Sequence, residues 1–172
     1  MGLEEAAVEG AMETGRDRTS RLYESHIAEA VRLAYLLTGE REVAEDVAQD
    51  SFVRAAGRFQ HLREETAFRK YLLRSVVNAC RGHWRRRQVE QRYVASLSHG
   101  RPGVTQAEDV PARLAVTQML AELSPRQRSA VVLRHYLDLS EAQTAELMGC
   151  SVGTVKTLVS RGLKVLRERM QP

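Results

Sequence analysis

The chain has 172 residues, enough for one or two small domains. It is mildly basic, with 26 Lys and Arg against 22 Asp and Glu, and its two cysteines, Cys80 and Cys150, exclude a disulfide framework. No apolar run approaches the length of a membrane span, and the acidic N-terminal stretch lacks the basic start and apolar core of a signal peptide, so a cytoplasmic protein with no membrane insertion is expected.

Glycine and proline are sparse and clustered, and long stretches have helical periodicity, which predicts an all-α fold. Residues 1–19 start with Glu4, Glu5, Glu9 and Glu13, carry no Lys or Arg before Arg16, and lack a sustained apolar face. They read as a flexible acidic tail. Thr19 or Ser20 is placed to cap a helix running to about Leu37, with Leu22, Ile27, Ala30, Val31 and Ala34 as its apolar stripe and Thr38-Gly39 as its stop. A second helix is expected from about Arg41 to Arg58. Ala48, Phe52, Ala55 and Phe59 point inward on it, while Asp46, Gln49 and Asp50 share a different, polar face. Spacing alone reads that face as ordinary surface.

Phe59–Glu65 reads as a loop. The next helix is expected from Thr66 to about Gln88, with Phe68, Tyr71, Leu72, Ser75, Val76 and Ala79 as its buried stripe. Arg74, Asn78, Arg81 and Arg85 recur by four, three and four along another face, with Trp84 beside its end. Such a strip of donors suits a phosphate backbone, because each cation displaces condensed counterions, and Tyr71 and Trp84 are candidates for base stacking. The alternative is a solvated face, with Tyr71 in the core and Trp84 closing an edge. Cys80 and His83 stand three apart, but a structural zinc site needs four ligands, none of the other four histidines adds to the pair, and a packed or free thiol is the better reading. Ser, His, Gly and Pro crowd residues 96–111, the signature of a linker.

A last helical unit starts near Ala112. Ser124-Pro125 supplies an N-cap and a proline at the first helical position. Ser140 and Gln143 have capping-box spacing and open a helix over Glu141–Met148, and Gly149 ends it where a left-handed residue is wanted. Ser151 caps a third helix with Val155, Leu158, Val159, Gly162 and Leu166 on one face and Lys156, Thr157, Ser160, Arg161 and Lys164 on the other. A short helix, a tight turn and a polar, basic helix form a helix-turn-helix suited to the major groove; an ordinary helical hairpin is the alternative. No nucleophile elbow, phosphate loop or HExxH sequence is present, so no catalysis and no cofactor are expected.

Three segments together resemble a known family. AEDVAQDSFVRA, TAFRKYLLRSVVNACRGHWRRR and the pair LSPRQRSAVVLR and SVGTVKTLVSRGLKVLR, in this order, look like the small two-domain bacterial sigma factors of the extracytoplasmic-function group, and most like the short actinobacterial branch labelled SigE-like. The resemblance implies two small helical domains joined by a flexible linker, the C-terminal one a helix-turn-helix. The expected divisions are a tail over 1–19, region 2 over 20–92, a linker over 93–111 and region 4 over 112–172. It implies a non-enzymatic protein that binds core RNA polymerase and promoter DNA, reads the −35 and −10 elements, melts the −10 duplex and is held by an anti-sigma factor.

Asp46, Gln49 and Asp50 fall where the family contacts polymerase. Leu62 and Arg63 fall in the loop that captures a flipped −10 base, and Arg74, Asn78, Arg81 and Arg85 fall on the −10 face. Arg134 matches a backbone contact, and Thr154, Lys156, Thr157, Ser160 and Arg161 match the −35 face. Gly82, Leu158 and Leu62 depart from residues common in the family at positions that bear on promoter sequence. The rival reading is a free-standing helix-turn-helix regulator with a helical sensor domain, binding a two-fold site as a dimer.

Overall fold

A computed structural model describes residues 3–59, 65–97 and 111–170, with side chains from Asp17 onward in the first segment. The described residues form seven α-helices and no strand: α1 (Leu3–Thr38), α2 (Arg41–Arg58), α3 (Glu65–Leu97), α4 (Pro111–Ala121), α5 (Pro125–His135), α6 (Glu141–Met148) and α7 (Val152–Met170).

Helices α1, α2 and α3 make the first lobe. Leu33 and Leu37 of α1, Ala44, Ala48 and Phe52 of α2, and Phe68, Leu72 and Val76 of α3 are all buried. Small residues on α2 let it lie close to its neighbours, and the large ones fill the gap between helices. Phe52 stands edge-on to both Tyr23 and Phe68, with centroids 5.1 and 5.6 Å apart, a favoured aromatic geometry. The turn from α1 to α2 follows from Thr38-Gly39: Gly39 adopts φ 78° and its N–H bonds Tyr35 O at 2.7 Å, while the Thr38 hydroxyl donates to Ala34 O at 2.7 Å.

Two boundaries differ from expectation. The backbone is already helical at Leu3, so Thr19 and Ser20 lie inside α1 and not at its start. Ala- and Glu-rich sequence without proline continues a helix once the packed part is formed, although it has no apolar stripe to announce it. Likewise α3 continues past Gln88 to Leu97, because no glycine or proline interrupts residues 83–98. Residues 93–97, read as linker, are therefore helical; 98–110 lie outside the described residues.

The second lobe is built from α4 to α7. Both short helices start on complete capping boxes. Ser124 accepts from Gln127 N and Gln127 answers to Ser124 N; Ser140 and Gln143 do the same. Each box satisfies two N–H groups that the first turn leaves orphaned. Gly149 ends α6 at φ 62°, ψ 47°, and the chain turns directly into α7. Gly162 of α7 is buried against α5: a Cβ there would stand 2.8 Å from Val131 Cγ2. The two lobes pack on one another, α5 against α1 and α3, and α6 against α3.

Candidate nucleic-acid and polymerase interface

On α2, Asp46, Gln49 and Asp50 are exposed, and Ala44, Ala48, Ser51, Phe52 and Ala55 are buried. The helix therefore presents a polar, net-acidic row to solvent on the side away from the core. Arg41 pairs with Glu45 at 3.0 Å, one turn before that row.

On α3, Arg74, Asn78 and Arg85 are exposed on one side of the helix, as their spacing requires. Lys70, four residues before Arg74, extends the same row; spacing alone was sufficient to include it. Arg81 departs from the expected free strip. It is half-buried, and its Nη2 donates to Met148 O at the end of α6, 2.9 Å away. Lys70 pairs with Glu146 of the same helix at 2.5 Å. Leu62 and Arg63 lie outside the described residues.

Trp84 does not stand free to stack on a base. Its indole N–H donates to Leu37 O at 3.0 Å, and its ring carries the Arg128 guanidinium 4.9 Å from the centroid. Tyr71 is half-buried between Phe59, 5.3 Å away, and the Arg58 guanidinium. Both aromatic residues follow the structural alternative, because each has a partner inside the protein.

Arg128 was not singled out from the sequence. It is 3 % exposed, and its Nη1 donates to the same Leu37 O at 2.9 Å. Burial pushes its pKa down to about 10, so the guanidinium remains charged at neutral pH. The available signal was an arginine at helical spacing with Val131 and Val132, a cation on an apolar stripe.

On α7, Lys156, Thr157, Ser160 and Arg161 are exposed; Val155 and Gly162 are buried, and Leu158 and Val159 lean on the core. Thr157 Oγ1 donates to Gly153 O at 3.0 Å, and Lys156 reaches Glu141 at 3.5 Å. Thr154 is half-buried, with its hydroxyl 2.9 Å from Ser151 Oγ in the cap of α7. Arg134 is half-buried and donates to Leu139 O, bracing the turn that joins α5 to α6. The second helix of a helix-turn-helix thus offers one basic, hydroxyl-rich face to solvent, as groove reading demands.

Residues 22–90 match the model of Sigma-70 region 2, and residues 113–166 match Sigma-70 region 4. The RNA polymerase sigma-E factor of Streptomyces coelicolor is 33% identical over 140 residues, covering 81% of this chain and 78% of that protein. The ECF RNA polymerase sigma factor SigM of Mycobacterium tuberculosis is 33% identical over 144 residues, covering 82% and 71%. This chain is an extracytoplasmic-function sigma factor. It directs transcription initiation, and it carries a region 2 and a region 4 in that order. The fold agrees. The sigma factor RpoE, solved with the anti-sigma factor NepR from Bartonella quintana, superposes with a TM-score of 0.70 at 21% identity, over 89% of this chain and 98% of that one. The structure of CnrH with the cytosolic domain of CnrY gives 0.64 at 21% identity, over 93% and 94%. Among the described residues no cluster of three or more His, Cys, Asp or Glu is placed to hold a metal ion, and no helix is long and apolar enough to cross a membrane.

Proposed function

We propose that the three surfaces divide the work of a sigma factor. The Asp46/Gln49/Asp50 face of α2 docks region 2 on core polymerase. The α3 row of Arg74, Asn78, Arg81 and Arg85 tracks the −10 strand, with Leu62 and Arg63 receiving a base taken out of the stack. On α7, Thr154, Lys156, Thr157, Ser160 and Arg161 read the −35 major groove, and Arg134 at the end of α5 steadies the backbone contact. Residues 20–92 and 112–172 act as the two functional units, with 93–111 between them and the acidic segment 1–19 ahead of both.

The observation that carries this division is the separation of character. One exposed helix face is acidic and uncharged-polar, and two others, on different lobes, are basic. An acidic row is unsuited to DNA and suited to a basic protein groove, whereas cationic rows gain from counterion release. Extruding a base costs a few kcal/mol, which a receiving pocket beside a cationic track offsets. The chain performs no bond chemistry of its own; the polymerase supplies it. An anti-sigma factor is the expected inhibitor, since the RpoE neighbour was captured with one, and the cytoplasm is the expected location.

The test is the α2 face. Gln49→Ala with Asp50→Lys removes one polar group and cancels the net negative charge of the face without touching a buried residue. Co-elution with bacterial core polymerase should be lost while the circular dichroism spectrum is unchanged. Undiminished co-elution would refute the assignment of this face.

A further inference from the structure

Val89 and Tyr93 are 65% and 68% exposed, on the part of α3 that runs on past the packed core. They stand one turn apart and so form a single apolar stripe. Arg85, Arg86 and Gln88 beside them are exposed as well. Packing within the chain does not account for the stripe. The region 2 match ends at residue 90 and the region 4 match begins at 113, so Val89 closes the first unit and Tyr93 lies beyond it.

The reverse side of α3 fixes how this end is turned. Trp84 donates to Leu37 O and Arg87 pairs with Glu40, both at the junction of α1 and α2. With that side held against the first lobe, the opposite side carries Arg74, Asn78 and Arg85. At about 100° per residue, Val89 falls about 20° from Asn78 around the helix axis, and Tyr93 about 60°. Both therefore continue the cationic row. Glu90, the one acidic residue between 85 and 97, falls about 120° away. Gly82 lies on the row side, and no contact inside the chain requires a glycine there: an added Cβ would meet only Arg86 Nη1, at 4.0 Å. It leaves bare backbone between Asn78 and Val89, which a groove wall can approach closely.

We propose that this end of α3 is a duplex-reading arm: Val89 and Tyr93 enter the major groove of the base pairs directly upstream of the −10 element, Val89 against a thymine methyl group and Tyr93 with its hydroxyl on a phosphate. The proposal rests on the reading of the α3 row as the −10 track. That row is cationic where a strand is to be followed and turns apolar where the helix runs on from it. A thymine methyl is the apolar feature that duplex DNA offers in the major groove, and a tyrosine hydroxyl is a common phosphate donor. Arg85 and Arg86 complement the phosphates flanking the groove. From Arg85 to Tyr93 the helix advances about 12 Å, the rise of about three to four base pairs.

The experiment uses core polymerase with the full chain, on a duplex promoter where that holoenzyme is active. The base pairs directly upstream of its −10 element are randomised, and the sequences that yield transcript are read. One or two positions should be enriched in thymine by about threefold to fivefold, the worth of one buried methyl group. Val89→Ser should level that preference, and Tyr93→Ala should lower transcription several-fold across all sequences. Replacing the preferred thymine by deoxyuridine removes only the methyl group. It should cost the original chain about as much as the preference is worth and cost Val89→Ser nothing. Melting curves and co-elution with core should be unchanged in both variants, since both side chains are exposed.

A flat profile in the original chain would overturn the proposal, as would a thymine preference or a deoxyuridine penalty that Val89→Ser leaves intact. Reduced co-elution of either variant with core would also overturn it, because the stripe would then dock polymerase. Asn78→Ala separates the two levels. If it leaves promoter opening unchanged, as read by permanganate reactivity of unpaired thymines, the −10 reading of α3 fails and takes the arm with it. If it slows opening while Val89→Ser shifts no preference, the arm alone fails.

Discussion

Cys80 sits on the inner side of α3, 2 % exposed, and burial pushes its thiol up to about 12. The thiolate is the reactive form, so at neutral pH this cysteine is inert while the fold persists. Cys150 is partly exposed in the turn of the helix-turn-helix. A thiol reagent should therefore modify one cysteine rapidly in the native chain and the second only after denaturant is added. Rapid modification of both would contradict the packing of α3. Arg161 is the opposite case, an exposed cation on the basic face of α7. A specific base contact is worth about 1–3 kcal/mol, so Arg161→Ala should cut run-off transcription from a cognate promoter by roughly tenfold or more, with an unchanged melting curve. Full activity with unchanged promoter choice would show that another face reads the −35 element.

At the scale of elements, the most legible parts of the sequence were those with local chemical punctuation. The Ser140–Gln143 box and Gly149 set the limits of α6 at Glu141 and Met148 as expected, and Thr38-Gly39 set the end of α1. Where punctuation was missing, periodicity had to serve. It served for α2, whose apolar residues recur regularly, and not for the N-terminal part of α1 or the C-terminal part of α3, which are helical without an apolar stripe. The polar face of α2 was visible from spacing, but its significance was not, because an exposed acidic row looks the same whether or not a partner covers it.

The close approach of α7 to α5 gives a sharper element-level expectation. Val131 is β-branched and buried, so it has little freedom to yield to a side chain at position 162. Overpacking of this kind costs about 1–3 kcal/mol, and Gly162→Leu should fall near the top of that range in urea unfolding. Gly153→Ala meets only Ser151 Oγ, at 3.9 Å, and should be neutral or slightly stabilising. Equal effects of the two substitutions would show that α7 does not lie against α5 as described.

At the scale of the whole molecule, the contacts between lobes were the least legible. Arg128 and Trp84 meet at Leu37 O across separations of 91 and 47 residues, and no local pattern encodes such a meeting. Each had a plausible role within its own helix, Trp84 as a stacking platform and Arg128 as one more basic residue of region 4. Packing turned both inward. Of the candidate site residues, Lys156, Thr157, Ser160 and Arg161 on α7 and Arg74, Asn78 and Arg85 on α3 are exposed as their spacing required, while Thr154 is half-buried and Arg81 is diverted to the other lobe. The two-domain division thus comes from motifs in the sequence, and the way the domains face each other comes from the fold alone.

Transcription is the most direct measure of the central claim, that this chain gives core polymerase its choice of promoter. Purified core should be incubated with a pool of genomic fragments from the source organism, with and without the full chain, and the transcript 5′ ends mapped. The expected result is a discrete set of start sites that appears only with the chain and shares sequence near −35 and −10. Random starts with or without the chain, together with nanomolar binding of the free chain to a palindromic duplex, would contradict the account and favour a free-standing regulator.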